Sequence, residues 1–109
     1  MEEHKQKSYY VGTQLKMQLD IEADGFNQDT DPWQVTLRCG ANQVVCSKTD
    51  NTITGVVNDD AQWYLLIDTQ SLGVGPVTMI TEIMIPDGDF DSGFRKEIYK
   101  DELMIIKRI

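Results

Sequence analysis

The chain has 109 residues, 40% of them hydrophobic, and eighteen acidic side chains against ten basic ones give a formal charge of -8. That is the size of one domain, and a chain of this length buries roughly 65% of its extended surface, enough for a core without metal or disulfide staples. The acidic balance argues against nucleic acid, whose binding replaces counterions with Lys and Arg, and against anionic membrane surfaces; it favours solubility, cations and basic partners.

No run approaches the roughly 20 apolar residues that a membrane span requires. The start, Met1-Glu2-Glu3-His4-Lys5-Gln6-Lys7, is polar and lacks the apolar middle of a signal peptide, so the expected location is the cytoplasm of the producing cell. Two cysteines, Cys39 and Cys46, are too few for a disulfide framework.

Period-two alternation dominates, and no segment sustains a helical stripe. Residues 1–10 read as a flexible arm and residues 11–109 as the folded domain. Residues 13–21 form the first predicted strand, with Leu15, Met17, Leu19 and Ile21 on one face. A loop over 22–32, rich in Asp and Gly, ends in Asp31-Pro32. Trp33, Val35, Leu37 and Cys39 then share a face. A turn at Gly40-Ala41-Asn42 leads into a hairpin partner over 43–47. With the turn spanning 40–43, Cys39 faces Val44 and Cys46 faces Leu37. The cysteines are then in a diagonal relation, with Cα atoms around 7 Å apart, marginal for a disulfide and better read as two small buried hydrophobes.

A turn over 48–51 precedes a short strand over 52–57, and Asn58-Asp59-Asp60 turns again. Residues 61–68 form a central strand whose buried face is Trp63, Leu65 and Ile67. Gly73-Val74-Gly75-Pro76 opens the next turn, followed by the longest strand, 77–85, with Val77, Met79, Thr81, Ile83 and Ile85 in register. Two more strands, 94–100 and 103–107, follow an aspartate-rich loop. Short strands separated by turn signals every 8–12 residues read as an all-β antiparallel sandwich of about seven to eight strands or a small barrel. The sandwich is favoured because two amphipathic sheets can bury these faces against each other.

Catalytic chemistry has little to work with. His4 is the one histidine and lies in the arm, so no Ser-His-Asp or Cys-His arrangement is held by the core. Zinc spacing, phosphate-binding glycine loops and nucleophile elbows are absent from the sequence. The chain is therefore read as a non-enzyme. The loop Pro86-Asp87-Gly88-Asp89-Phe90-Asp91-Ser92-Gly93 places Asp87, Asp89 and Asp91 at alternate positions, like the first half of a calcium loop. The glycine falls one place late, and Ile98 stands where a bidentate glutamate belongs. An ordinary acidic hairpin loop explains the segment, with calcium as the alternative. Trp33 and Trp63 belong to the core by their strand faces, and Tyr9 and Tyr10, bordering the arm, are the aromatic contact candidates. Strand addition at an open sheet edge is a further route to a partner.

Several elements together resemble a known group. They are Tyr10 with Gly12, the alternating first strand, the Asp-rich loop before Pro32-Trp33, Gln62-Trp63-Tyr64-Leu65, Asp68-Thr69, Leu72-Gly73-Val74-Gly75, and the run from Ile85 to Glu97. Their order resembles small phage and prophage structural proteins of gut Bacteroidetes, and more distantly the N-terminal domain of phage baseplate upper proteins. The resemblance implies an immunoglobulin-like sandwich that assembles with other virion components near the tail or baseplate. It brings no catalytic residues and implies no cofactor. It places the chain first in the bacterial cytoplasm and then in the virion, with self-association left open. The alternative reading is a module that takes carbohydrate or calcium through the 24–31 and 87–91 loops.

Overall fold

The computed structural model describes residues 7–49 and 52–109. His4 and part of the 48–51 turn lie outside the described residues. The described chain is all-β apart from one helical turn, and its nine strands form two sheets packed face to face. In chain order they are β1 (Lys7–Tyr10), β2 (Gln14–Gln18), β3 (Trp33–Cys39), β4 (Asn42–Lys48), β5 (Ile53–Thr54), β6 (Val56–Asp59), β7 (Gln62–Asp68), β8 (Gly75–Pro86) and β9 (Phe94–Lys107). The turn of helix, α1 (Thr69–Leu72), stands between β7 and β8. The larger sheet runs β1-β9-β8-β3-β4-β5 and the smaller β2-β7-β6.

The core lies between the sheets and follows the alternation. Trp33, Val35, Leu37 and Cys39 of β3, Trp63, Leu65 and Ile67 of β7, and Val77, Ile83 and Ile85 of β8 are all buried. Three strands cannot cover six. Leu19, Ile21, Ala23 and Phe26, from the segment after β2, pack against the same core and extend the smaller layer.

Several expectations change. Of the arm expected over 1–10, Lys7–Tyr10 form β1, which pairs in parallel with the end of β9, Lys7 opposite Met104 and Tyr10 opposite Lys107. Tyr9 packs on the core while Tyr10 stays 60% exposed. The β3–β4 hairpin turns on two residues, not four: Cys39 pairs with Asn42, Leu37 with Val44 and Val35 with Cys46. Gly40, at φ +58, supplies the positive φ that a two-residue loop needs at its first central position. The cysteines thus sit four ladder steps apart, about 13 Å along the strands, and both are free and buried. Burial raises the Cys46 thiol above its ordinary pKa, which suits a packing role.

The strand expected over 52–57 is two strands. The chain breaks at Gly55, φ +68, leaving β5 on the larger sheet and β6 on the smaller. The segment between Asp68 and Gly73 closes α1: the Asp68 carboxylate caps it by accepting from the Gln70 amide at 3.0 Å. Thr69, fully buried, accepts from the Gly12 amide at 2.9 Å and donates to the Thr13 carbonyl at 2.8 Å, tying α1 to the β1–β2 turn.

The strands expected over 94–100 and 103–107 are one strand, β9, with a bulge. Val77 pairs with Met104 but Thr78 with Glu102, so Leu103 has no partner across the ladder. The extra residue inverts the alternation. Before it, Arg95, Glu97, Tyr99 and Asp101 share the core-side face with Ile85, Ile83, Thr81 and Met79; after it, Met104 and Ile106 are the buried residues.

Candidate functional site: two acidic loops and the open edge of β9

Both acidic loops hold structural positions. In the 22–32 loop, Asp29 accepts from the Trp63 indole N–H at 2.7 Å, and the Gln28 carbonyl accepts from the Trp33 indole at 3.0 Å. The two rings meet edge to face with centroids 5.6 Å apart. Asp31 is buried and accepts from the Asn27 amide at 2.8 Å. Lys48, which turn chemistry had placed outside the strands, is the last residue of β4 and is buried. Its ammonium donates to the Asp31 carbonyl at 3.3 Å and lies 5.9 Å from the Trp63 ring centroid. This loop closes one end of the sandwich, since each buried indole N–H requires an acceptor and the loop supplies both.

The Asp87–Gly93 loop is a tight hairpin connection. The Asp87 carboxylate accepts from the Asp89 amide at 3.0 Å with one oxygen and from the Arg95 guanidinium at 2.8 Å with the other. The backbone closes through Asp87 N–H to the Gly93 carbonyl, 2.9 Å, and Gly93 N–H to the Phe90 carbonyl, 2.9 Å. Asp89 and Asp91 remain exposed. Asp87, Asp89 and Asp91 therefore do not converge: among the described residues no group of three or more His, Cys, Asp or Glu is placed to hold a metal ion. The Asp87 carboxylate serves the loop's own Asx turn and an ion pair.

The exposed edge of the larger sheet is different in kind. β9 spans fourteen residues, but β1 covers only its last four paired positions, Met104 to Lys107. Along residues 94–103 no described strand pairs with the side of β9 away from β8. Ile98 is 60% exposed and Tyr99 42% exposed in the middle of this run. Charges punctuate it: Lys96 reaches Glu82 at 3.7 Å, and Arg95 reaches Glu97 at 3.5 Å as well as Asp87. Tyr99 donates a short hydrogen bond to Glu97, and that bond, then burial and the Glu97 charge, raise the phenol above its ordinary pKa, against a smaller opposing effect of Arg95. Charges on an edge discourage indiscriminate pairing, so a strand that adds here must match them.

Beside this edge, a groove of about 210 Å³ lies between residues 19–22 and the core-side face of β8 and β9. The sequence did not reveal it, because its walls come from segments some 60 to 80 positions apart in the chain. Among the described residues, no helix is long and apolar enough to cross a membrane. Comparison with protein-family models, with curated proteins and with solved structures finds no match.

Proposed function

We propose that this domain is a non-enzymatic assembly module that works by binding other proteins through a sheet edge. The observation that carries the reading is the run 94–103 of β9, a long, proline-free strand edge, bulged only at its end, without a described partner. Such an edge offers a row of backbone donors and acceptors whose pairing is completed by an added strand. The station of the module rests on the resemblance to phage and prophage structural proteins, which points to a tail- or baseplate-associated virion component with an immunoglobulin-like sandwich. Protein partners are the corresponding expectation, with no nucleic acid, membrane or cofactor involved.

The test is direct. Virions from a producing strain are purified and their proteins quantified by mass spectrometry, with a photo-crosslinking residue at Ile98. The reading requires the chain in virions at fixed stoichiometry and a crosslink from Ile98 to one virion protein. It also requires loss of incorporation in an Ile98→Pro variant, because proline removes an edge donor while edge positions tolerate it. A chain absent from particles, or incorporated equally well with proline at 98, defeats it.

A further inference from the structure

We propose that the groove beside β9 seats a basic side chain, arginine or lysine, presented by a protein segment that adds as a strand along residues 94–103. This deepens the assembly reading and rests on it. The floor is apolar: Leu19, Ile21 and Met79 are half-buried and pack on the core. The rim is acidic, formed by Asp20, Glu22 and Asp101. None of these three carboxylates forms an ion pair with a described residue. Only Asp20 is engaged by a side chain, the Gln18 amide at 3.0 Å.

A second observation points to a ligand independently of the charges. Thr81 is only 5% exposed, lines the groove, and its hydroxyl is not engaged by any described residue. No buried side-chain oxygen or nitrogen among the described residues lacks a partner, so the Thr81 oxygen opens into the groove, where it can bond a group that enters. Tyr99 stands directly across the ladder from Thr81 and supplies an aromatic wall. An apolar floor, an acidic rim and an aromatic wall match the aliphatic stem and cationic head of arginine or lysine. A carboxylate or a neutral apolar side chain leaves the rim charges unmatched.

The groove and the edge are continuous, because Tyr99 and Asp101 belong to both. A strand paired with β9 projects alternate side chains toward the core-side face, which is the face that opens into the groove. The strand supplies main-chain bonds, and the basic residue supplies selection.

Three blocked pentapeptides test this: Thr-Val-Arg-Val-Thr, and the same peptide with norleucine or glutamate at the centre. Each is titrated into the 15N-labelled full chain and followed by amide shifts. The arginine peptide is expected to shift the amides of residues 19–22, Thr81 and Asp101. Its affinity is expected to exceed that of the norleucine peptide by about tenfold, to fall by a similar factor in a Glu22→Gln/Asp101→Asn variant, and to weaken several-fold between about 0.1 and 0.5 M salt. Both substitutions are on exposed side chains, and retained shift dispersion verifies the fold. Equal shifts along 94–103 for all three peptides would overturn the groove while leaving strand addition standing. Shifts from none of them would overturn both.

Discussion

Gly55 concentrates the requirements of the fold in one residue, and Gly55→Ala is therefore the sharpest test of the architecture. At φ +68 the residue is in the left-handed region, where an alanine is strained by about 1–2 kcal/mol. A Cβ there would also sit 2.9 Å from the Cys46 sulfur, 3.4 Å from its Cβ and 3.6 Å from its Cα. Cys46 is fully buried, so its side chain has little room to retreat, and overpacking of this kind costs about 1–3 kcal/mol. Reduced freedom of the unfolded chain returns about 0.5 kcal/mol. The position is further pinned because the Gly55 carbonyl accepts from the Leu66 amide at 2.9 Å. The net expectation is a loss of about 1.5–4.5 kcal/mol, or about 7–20 °C in Tm for a chain of this size. Urea unfolding followed by the fluorescence of buried Trp33 and Trp63 measures it. A Cys46→Ala background separates the two causes: the sulfur clash disappears, the backbone strain stays, and the Gly55→Ala cost falls to about 1 kcal/mol. A Gly55→Ala protein within 0.5 kcal/mol of the parent, on the order of measurement error, would refute the argument. Absence of coupling to Cys46 would refute its steric half.

Three further outcomes follow from the same geometry. Asp60 and Ala61 both adopt positive φ, +52 and +63, in the two-residue turn between β6 and β7, so Ala61→Gly is expected to stabilise the fold by about 0.5–1 kcal/mol in the same urea assay. Thr69→Val removes the acceptor of the Gly12 amide inside the structure, and is expected to cost about 1–3 kcal/mol where Thr69→Ser costs much less. In a near-ultraviolet phenolate titration, Tyr99 is expected to ionise above the ordinary tyrosine range, and Glu97→Gln is expected to bring it down. The sign for stability follows: the raised pKa favours the protonated phenol in the folded state, so its contribution is present below the unfolded pKa and is lost as pH rises through the folded one.

Strands with one fully buried face were legible in the sequence. The sets Trp33-Val35-Leu37-Cys39 and Trp63-Leu65-Ile67 are buried as the alternation requires, because a one-residue slip would expose every member. What escaped was set by tertiary context. Ile53 to Val57 is β-branched on both sides of Gly55, so composition cannot distinguish one strand from two that change sheets. Asn42 suits a turn as well as the strand it starts, which displaced the hairpin register by two. The phase slip near Glu102 was visible as a break, yet the backbone continues through it. Lys7–Tyr10 carries no alternating apolar signal and is held by its parallel neighbour. The aspartate loop was placed correctly as a hairpin connection, but its internal partners, Arg95 above all, depend on a rotamer that no pattern encodes. The groove was invisible, because Asp20, Glu22 and Asp101 become neighbours only once the sheet is assembled.

Leu103 lets one uninterrupted ribbon turn Met104 and Ile106 into the interior at one end and carry Arg95, Glu97, Tyr99 and Asp101 on that same side at the other. A single supernumerary amino acid acts as a phase shifter, so the terminal stretch meets the demands of tight interior packing while the preceding stretch is released from them. Deleting that one residue would force both halves into a common phase, and either Met104 and Ile106 or the four residues before them would have to change faces.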